Sequence, residues 1–390
     1  MKVEQVDFFY FAMPEITTEA DGSQDVLLVR VAGGGLVGYG ECEAAPLPTI
    51  AAFVCPMSHG VCRPVGAAVL GQRLESPEDI ARMAHRVAYE SMDLLQAAHC
   101  WSGVEMALWD LLGKARQAPA WALLGHARSL PRTPYASQLF GDTPQQTLEF
   151  GRAQRAAGFR AVKFGWGPIG RHGETLDRDH FVAAREGLGD DGILLVDVGQ
   201  VFGDDVDAAA RRLPALEAAR AHWLEEPFHG HSYESYGALA ARSPVRLAGG
   251  EAAHNAYMAR HLIDYGKIGF VQIDCGRVGG LGPAQQVADY ARARGVTYVN
   301  HTFTSHLALS ASLQPYASFE TCEICEYPVK PKGVATAFCG TPLRPDKDGK
   351  VRAPDAVGLG VAVDLAAARA YLQDVEIRIG GKQLYASPKM

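Results

Sequence analysis

Residues 193–199, ILLVDVG, are followed by 222–227, HWLEEP, and by 246–251, RLAGGE. Each is a short β-rich run that ends on or beside an acid, Asp197, Glu225 and Glu251, and the three acids stand 28 and 26 positions apart. The stretches between them are alanine-rich and helical in character, so the repeating unit is one strand and one helix. The same alternation extends outward to PYASQL (134–139) and AVKFG (161–165) on one side. On the other it reaches FVQIDC (270–275), TYVNHT (297–302) and a weaker run at CEICEYP (322–328). Strands alternating with helices predict a parallel sheet, and close to eight units of about 20 to 30 residues predict a closed (β/α)8 barrel or a near relative.

The residues before the barrel have a different texture. DVLLVRVAGGGLVGYGECEA (25–44) alternates around Gly33 to Gly35, the pattern of a β-hairpin. APLPTIAAFVCPMSHGVCRPVGAAVLG (45–71) is broken by prolines and predicts a long surface loop running into a helix. In the segment that follows, Val104, Leu108, Leu111, Leu112 and Ala115 recur at the helical period, and Pro119 stops the run. Residues 1–128 are therefore expected to form a small α+β domain and 129–345 the barrel. Residues 346–390 turn polar and then helical at VDLAAARAYL (363–372), and should pack back on the first domain.

Hydrophobic residues make up 48% of the 390-residue chain and charged residues 21%, enough apolar material for a full core. A net charge of −7 without a clustered basic face argues against a nucleic-acid partner. Glu4 and Asp7 interrupt the first apolar run, and no stretch reaches the ~18 apolar residues a membrane helix needs, so no membrane association is expected. Eight cysteines in a chain this long read as reduced thiols of a cytoplasmic protein. CEIC (322–325) has the spacing of half a zinc site, but with no second such pair it reads as two cysteines packed in a strand.

Functional groups of a barrel gather at the C-terminal ends of its strands. Successive ends here carry Lys163, Asp197, Glu225 with Glu226, Glu251, Asp274 and His301. Any one of the acids could be a strand-end cap or the ion-pair partner of a following helix. Three converging on one mouth would raise each other's pKa unless a cation intervened, and a hard divalent ion such as Mg2+ accepts an all-oxygen donor set. Asp274 and His301 lie 27 positions apart, one βα unit, where a carboxylate could orient an imidazole for proton abstraction.

ALWDLLGKARQAPAWALLG (107–125), LLVDVGQ (194–200), WLEEP (223–227), GGE (249–251), QIDCGRVGGLG (272–282) and NHTFTSHLALSASLQ (300–314) occur in a telling order and spacing. In these segments the chain resembles the mandelate racemase-like subgroup of the enolase superfamily over nearly its whole length. The resemblance implies a modified (β/α)7β TIM-type barrel under an N-terminal α+β capping domain completed by the C-terminal segment. It also implies Mg2+ held by Asp197, Glu225 and Glu251, an Asp274–His301 base, and Lys163 neutralising a substrate carboxylate. A last-strand glutamate would help hold the substrate, and Glu326 is the choice over Glu320 and Glu323. Symmetric homo-oligomers are common in the group.

Two positions depart from the subgroup. The second lysine of its Lys-x-Lys motif is Gly165, and the asparagine common two places after the first metal ligand is Gly199. Without a second base a racemase or epimerase is disfavoured. Dehydration of an aldonic or aldaric acid to a 2-keto-3-deoxy acid is the leading expectation, followed by cycloisomerisation of a sugar lactone or anhydro-sugar acid. A metal hydrolase would use histidine ligands, but the HGH at 229–231 follows Pro227, after a strand rather than within it. Specificity is expected from the loop before residue 30 and from residues 45–64, with Ser58, His59 and Arg63 as polar candidates. Trp166, among glycines, is a further substrate-binding candidate from the barrel.

Overall fold

The computed structural model describes residues 1–17, 25–331 and 333–390. Gln5–Phe11 (β1), Val26–Gly33 (β2) and Leu36–Cys42 (β3) form an antiparallel sheet in that order. Gly34 and Gly35, at φ 57° and 75°, make the two-residue hairpin turn, whose left-handed backbone glycine adopts without strain. The helix Ala97–Arg116 packs on this sheet so closely that a Cβ at Gly38 would stand 2.2 Å from the Ala107 carbonyl oxygen. Sandwiched between sheet and barrel, this helix buries nearly every residue as far as Gly113, and it ends where Gln117 turns left-handed.

Residues 45–71 are more ordered than the expected loop. Pro46–Val54 and Val65–Val69 are helices, and the first carries its prolines in the opening turn, where no backbone N–H has a helical partner to lose. The proline signal that suggested a loop marks a helix start instead.

The barrel strands are Thr133–Leu139 (β4), Ala161–Gly165 (β5), Ile193–Asp197 (β6), Ala221–Glu225 (β7), Leu247–Gly249 (β8), Phe270–Asp274 (β9), Thr297–His301 (β10) and Ile324–Pro328 (β11). They pair in parallel in the order β10-β9-β8-β7-β6-β5-β4-β11, with helical connections between successive strands. One inward residue from each, Tyr135, Ala161, Leu195, Trp223, Ala248, Phe270, Val299 and Ile324, fills the barrel interior. Two residues further on, at the strand period, stand Ser137, Lys163, Asp197, Glu225, Gly250, Gln272, His301 and Glu326. The apolar layer thus places the ionisable one at the mouth.

The sheet is nearly closed. Between β10 and β11 the side chain of Asn300 does what a ladder would: Oδ1 accepts from Glu326 N at 3.0 Å and Nδ2 donates to Glu326 O at 3.3 Å.

The C-terminal segment returns to the cap, with Gln373 N donating to Tyr10 O at 2.8 Å and Tyr385 Oη to Phe8 O at 2.6 Å. Its hairpin is Glu376–Ile379 (β12) with Lys382–Ala386 (β13). The helix expected at 363–372 is only a 3-10 turn, Ala366–Tyr371. All eight cysteines are free thiols, and among the described residues no helix is long and apolar enough to cross a membrane.

Candidate active site

Lys163 is 4% exposed, and its ammonium lies among three carboxylates: Glu225 Oε1 at 2.7 Å, Glu326 Oε1 at 3.0 Å and Asp197 Oδ2 at 3.8 Å. The Glu225 contact is a hydrogen bond, whereas the Glu326 contact is an ion pair outside hydrogen-bond geometry. Burial opposes charge on Lys163, but Glu225 and Glu326 outweigh it and raise its pKa well above the ordinary lysine value. Glu225 also accepts from Trp223 Nε1 at 2.9 Å, two residues back on the same inward face. Glu226 lies off that face in a left-handed conformation, φ 43°, and accepts from Gln200 Nε2 instead. Glu326 is fully buried and accepts from Thr302 N at 2.8 Å. Glu320 pairs with Arg128 on the surface and Glu323 is exposed, so neither reaches the mouth.

Parallel register sets Asp274 of β9 beside His301 of β10. His301 Nδ1 lies 2.7 Å from Asp274 Oδ2, whose other oxygen accepts from Gly276 N at 2.6 Å. Nδ1 thus donates to Asp274, and Nε2 turns toward Glu251 Oε2, 3.1 Å away. Burial disfavours the imidazolium, yet the carboxylates of Glu251, Glu326 and Asp274 prevail and raise its pKa well above the usual imidazole value. Burial opposes the charge of Glu251 too, but His301 and Arg277 hold its pKa down at about 2.

Asp197, Glu225 and Glu251 offer only oxygen. Burial first, and then repulsion from Glu225, pushes Asp197 well up, and Glu225 is likewise raised by burial. Such crowding is what a hard divalent cation relieves, so the donor chemistry fits Mg2+. Among the described residues no three His, Cys, Asp or Glu side chains are drawn into one coordination sphere. Lys163 holds Glu225, while His301 and Arg277 hold Glu251.

The mouth encloses about 240 Å3, room for a small metabolite. Lys163, Asp197, Glu251 and His301 line its charged side, and Leu139, Phe150, Trp166 and Phe303 form an apolar wall. Trp166 is held at φ 53°, its N–H on Asp197 O at 3.1 Å. Its indole covers Gly199, where a Cβ would meet the ring at 2.5 Å, so glycine in place of the subgroup's asparagine makes room for this tryptophan. A side chain at Gly165 would find Asp197 Oδ2 3.1 Å from its Cβ.

Three expected substrate-binding residues do not line the mouth. His59 pairs with Asp93 at 2.8 Å and with Ser58, and Arg63 lies 3.7 Å from Glu90. The reason is that Ser58 to Cys62 closes a tight turn of its own on the cap, beside the helix that ends at Glu90. The loop expected before residue 30 includes residues 18–24, which lie outside the described residues. Lys330, in the turn after β11, lines the mouth and had no motif to announce it. Asn300 did leave a signal, a polar residue on the outward parity of a buried strand.

Residues 147–368 match the family described as enolase C-terminal domain-like, and residues 11–125 match the mandelate racemase / muconate lactonizing enzyme N-terminal domain. The crystal structure of a predicted mandelate racemase from Rhodobacter sphaeroides is 65% identical, covers 100% of both chains and superposes with a TM-score of 0.96. The 3,6-anhydro-alpha-L-galactonate cycloisomerase of Streptomyces coelicolor is 31% identical over 67% of this chain and 69% of its own. The D-galactonate dehydratase of Klebsiella pneumoniae is 29% identical over 72% of each.

Proposed function

The chain belongs to the mandelate racemase / muconate lactonizing enzyme family of enolase-like proteins, and from that premise we propose that it removes the proton α to the carboxylate of an acid sugar. A β-hydroxyl then leaves as water, and the enol product becomes a 2-keto-3-deoxy acid. The observation that carries this reading is the 2.7 Å contact between Asp274 and His301 Nδ1, in a mouth whose other side presents Lys163.

The α-proton is weakly acidic because its removal adds charge to a carboxylate that is already anionic. Asp274 holds Nδ1, and Nε2, which faces the Glu251 carboxylate at 3.1 Å, would be free to shed its own proton and take that one once Glu251 is drawn away by a bound cation. Lys163, kept cationic by its neighbours, sits where the substrate carboxylate would bring negative charge and stabilises its growth. Glu326, fixed by the Thr302 N–H, supplies a hydrogen-bonding group beside Lys163. Asp197, Glu225 and Glu251 would hold Mg2+, which when bound supplies Lewis-acid stabilisation of the carboxylate oxygens. Nε2–H of His301 then returns a proton to the departing hydroxide, so one group serves both halves of the elimination.

A second reading uses the same base. If the β-oxygen belongs to a lactone or anhydro ring, its expulsion opens the ring and the product is an isomer. The likeness to the Streptomyces cycloisomerase and the apolar wall of Leu139, Trp166 and Phe303, suited to the C–H face of a ring, favour keeping it. Racemisation would need a second base on the opposite face, and the subgroup's place for it is Gly165.

Proton NMR in D2O with Mg2+, against aldonic acids, aldaric acids, sugar lactones and anhydro-sugar acids, tests the proposal. A 2-keto-3-deoxy product from an open-chain acid supports dehydration, and ring opening without loss of water supports the isomerase. Exchange of the α-proton accompanied by inversion, with neither elimination, would overturn both readings.

A further inference from the structure

Strand β3 of the cap ends in Glu41 and Cys42, and this end, with Glu43 just beyond it, presses on the turns that follow the strands of the dyad. Glu43 N donates to Gly276 O at 3.3 Å, and its carboxylate lies 3.2 Å from Arg277. Glu41 is 1% exposed and accepts a hydrogen bond from Ser305 Oγ. The Ser305 hydroxyl oxygen accepts in turn from Leu307 N at 3.1 Å and Ala308 N at 3.2 Å, capping the helix His306–Leu313. Its single proton is thus committed to Glu41. The other Glu41 oxygen has no hydrogen-bond partner among the described residues, nor has the nearby Thr304 hydroxyl. Burial pushes the Glu41 pKa up to about 7 against the lowering effect of the Ser305 hydroxyl.

A buried carboxyl is a costly way to seat a cap, since an apolar residue of similar size would pack without loss of hydration. Its place is at residues 302–305, a turn that begins directly after His301 and whose Thr302 N–H holds Glu326. We propose that Glu41 is a positioning residue: through Ser305 it fixes the turn that aims His301 Nε2 and Glu326 into the mouth, so that the capping domain sets the geometry of the base. This rests on the reading of His301 as the base.

The test compares the full-length protein with Glu41→Leu, Glu41→Gln and Ser305→Ala, using protein with 15N-labelled histidine. His301→Asn identifies the His301 ring signals by their loss. In Glu41→Leu and Ser305→Ala those signals should shift, and in Glu41→Gln, which keeps an acceptor for Ser305, they should return toward their original positions. With the acid sugar turned over in the NMR panel, Glu41→Leu should lower kcat about 10- to 100-fold with KM nearly unchanged. Ser305→Ala should do the same, and combining the two should add little. Unmoved ring signals together with unchanged kcat in Ser305→Ala would overturn the inference even if Glu41→Leu does not fold. Full activity of His301→Asn would instead sink the reading beneath it, while displaced ring signals in the Glu41 and Ser305 variants would still establish the positioning.

Discussion

Lys163 and His301 line one cavity, and the carboxylates around each favour its charged form. Lys163 lies against Glu225 and Glu326, which suits an anion holder, whereas His301 Nε2 faces Glu251, a carboxylate that a bound cation would engage. Lys163→Met should therefore lower kcat/KM by at least about 100-fold, the loss of roughly 3 kcal/mol of transition-state stabilisation, in steady-state assays; a change under about threefold would remove it from the site. Glu225→Gln should weaken Mg2+ binding at least about tenfold by calorimetric titration, and undisturbed affinity would count against the three-carboxylate donor set. Much at this scale was legible, because strand parity is a property of sequence. Glu225 shares an inward face with Trp223, and Glu326 shares one with Ile324, whereas Glu226 does not. Ser58, His59 and Arg63 were misplaced because the direction of a loop side chain has no comparable period.

Element by element, the seam between β10 and β11 is the most informative feature. Asn300 replaces a ladder there, with Tyr316 Oη and Ser312 Oγ as further partners of its amide. Asn300→Leu would strand the buried N–H of Glu326, and should cost about 1–3 kcal/mol in urea unfolding as well as activity. A loss below a few tenths of a kcal/mol would show that the seam closes without the amide. Gly199→Ala should also destabilise, since its Cβ would enter the Trp166 ring from a left-handed backbone at φ 52°. The barrel strands were readable nearly to the residue because each is a short apolar run between helical stretches, and β6, β7, β9 and β10 end on an ionisable group. Residues 46–54 were not, because their prolines signal a break and a helix start alike.

On the scale of the whole molecule, the cap and barrel share one continuous hydrophobic core, and buried acids cross between them. Glu105 of the cap helix Ala97–Arg116 accepts from Leu281 N at 2.7 Å and Gly282 N at 2.8 Å, at the start of the barrel helix Leu281–Ala293. Burial lifts its pKa from 4.5 to about 7, outweighing these N–H donors. The folded state then holds this proton more tightly than the unfolded chain. The stability it contributes is full below about pH 4.5 and is lost as pH rises through about 7, an effect on the order of 3 kcal/mol. Glu105→Gln should flatten that part of the pH–stability curve in denaturant titrations; an unchanged slope would mean that Glu105 stays ionised in the fold. Contacts of this kind, like that of Glu41 with Ser305 264 residues away, were invisible in the sequence because nothing local in it encodes where two distant acids dock.

The central claim is that His301 is the group that takes the α-proton. The most direct test follows solvent deuterium into the α-position of the acid sugar by NMR, with the wild-type protein and His301→Asn side by side, both loaded with Mg2+ and matched for metal affinity. The account predicts that His301→Asn binds Mg2+ normally and neither exchanges the α-proton nor forms product; exchange or turnover at the wild-type rate would contradict it.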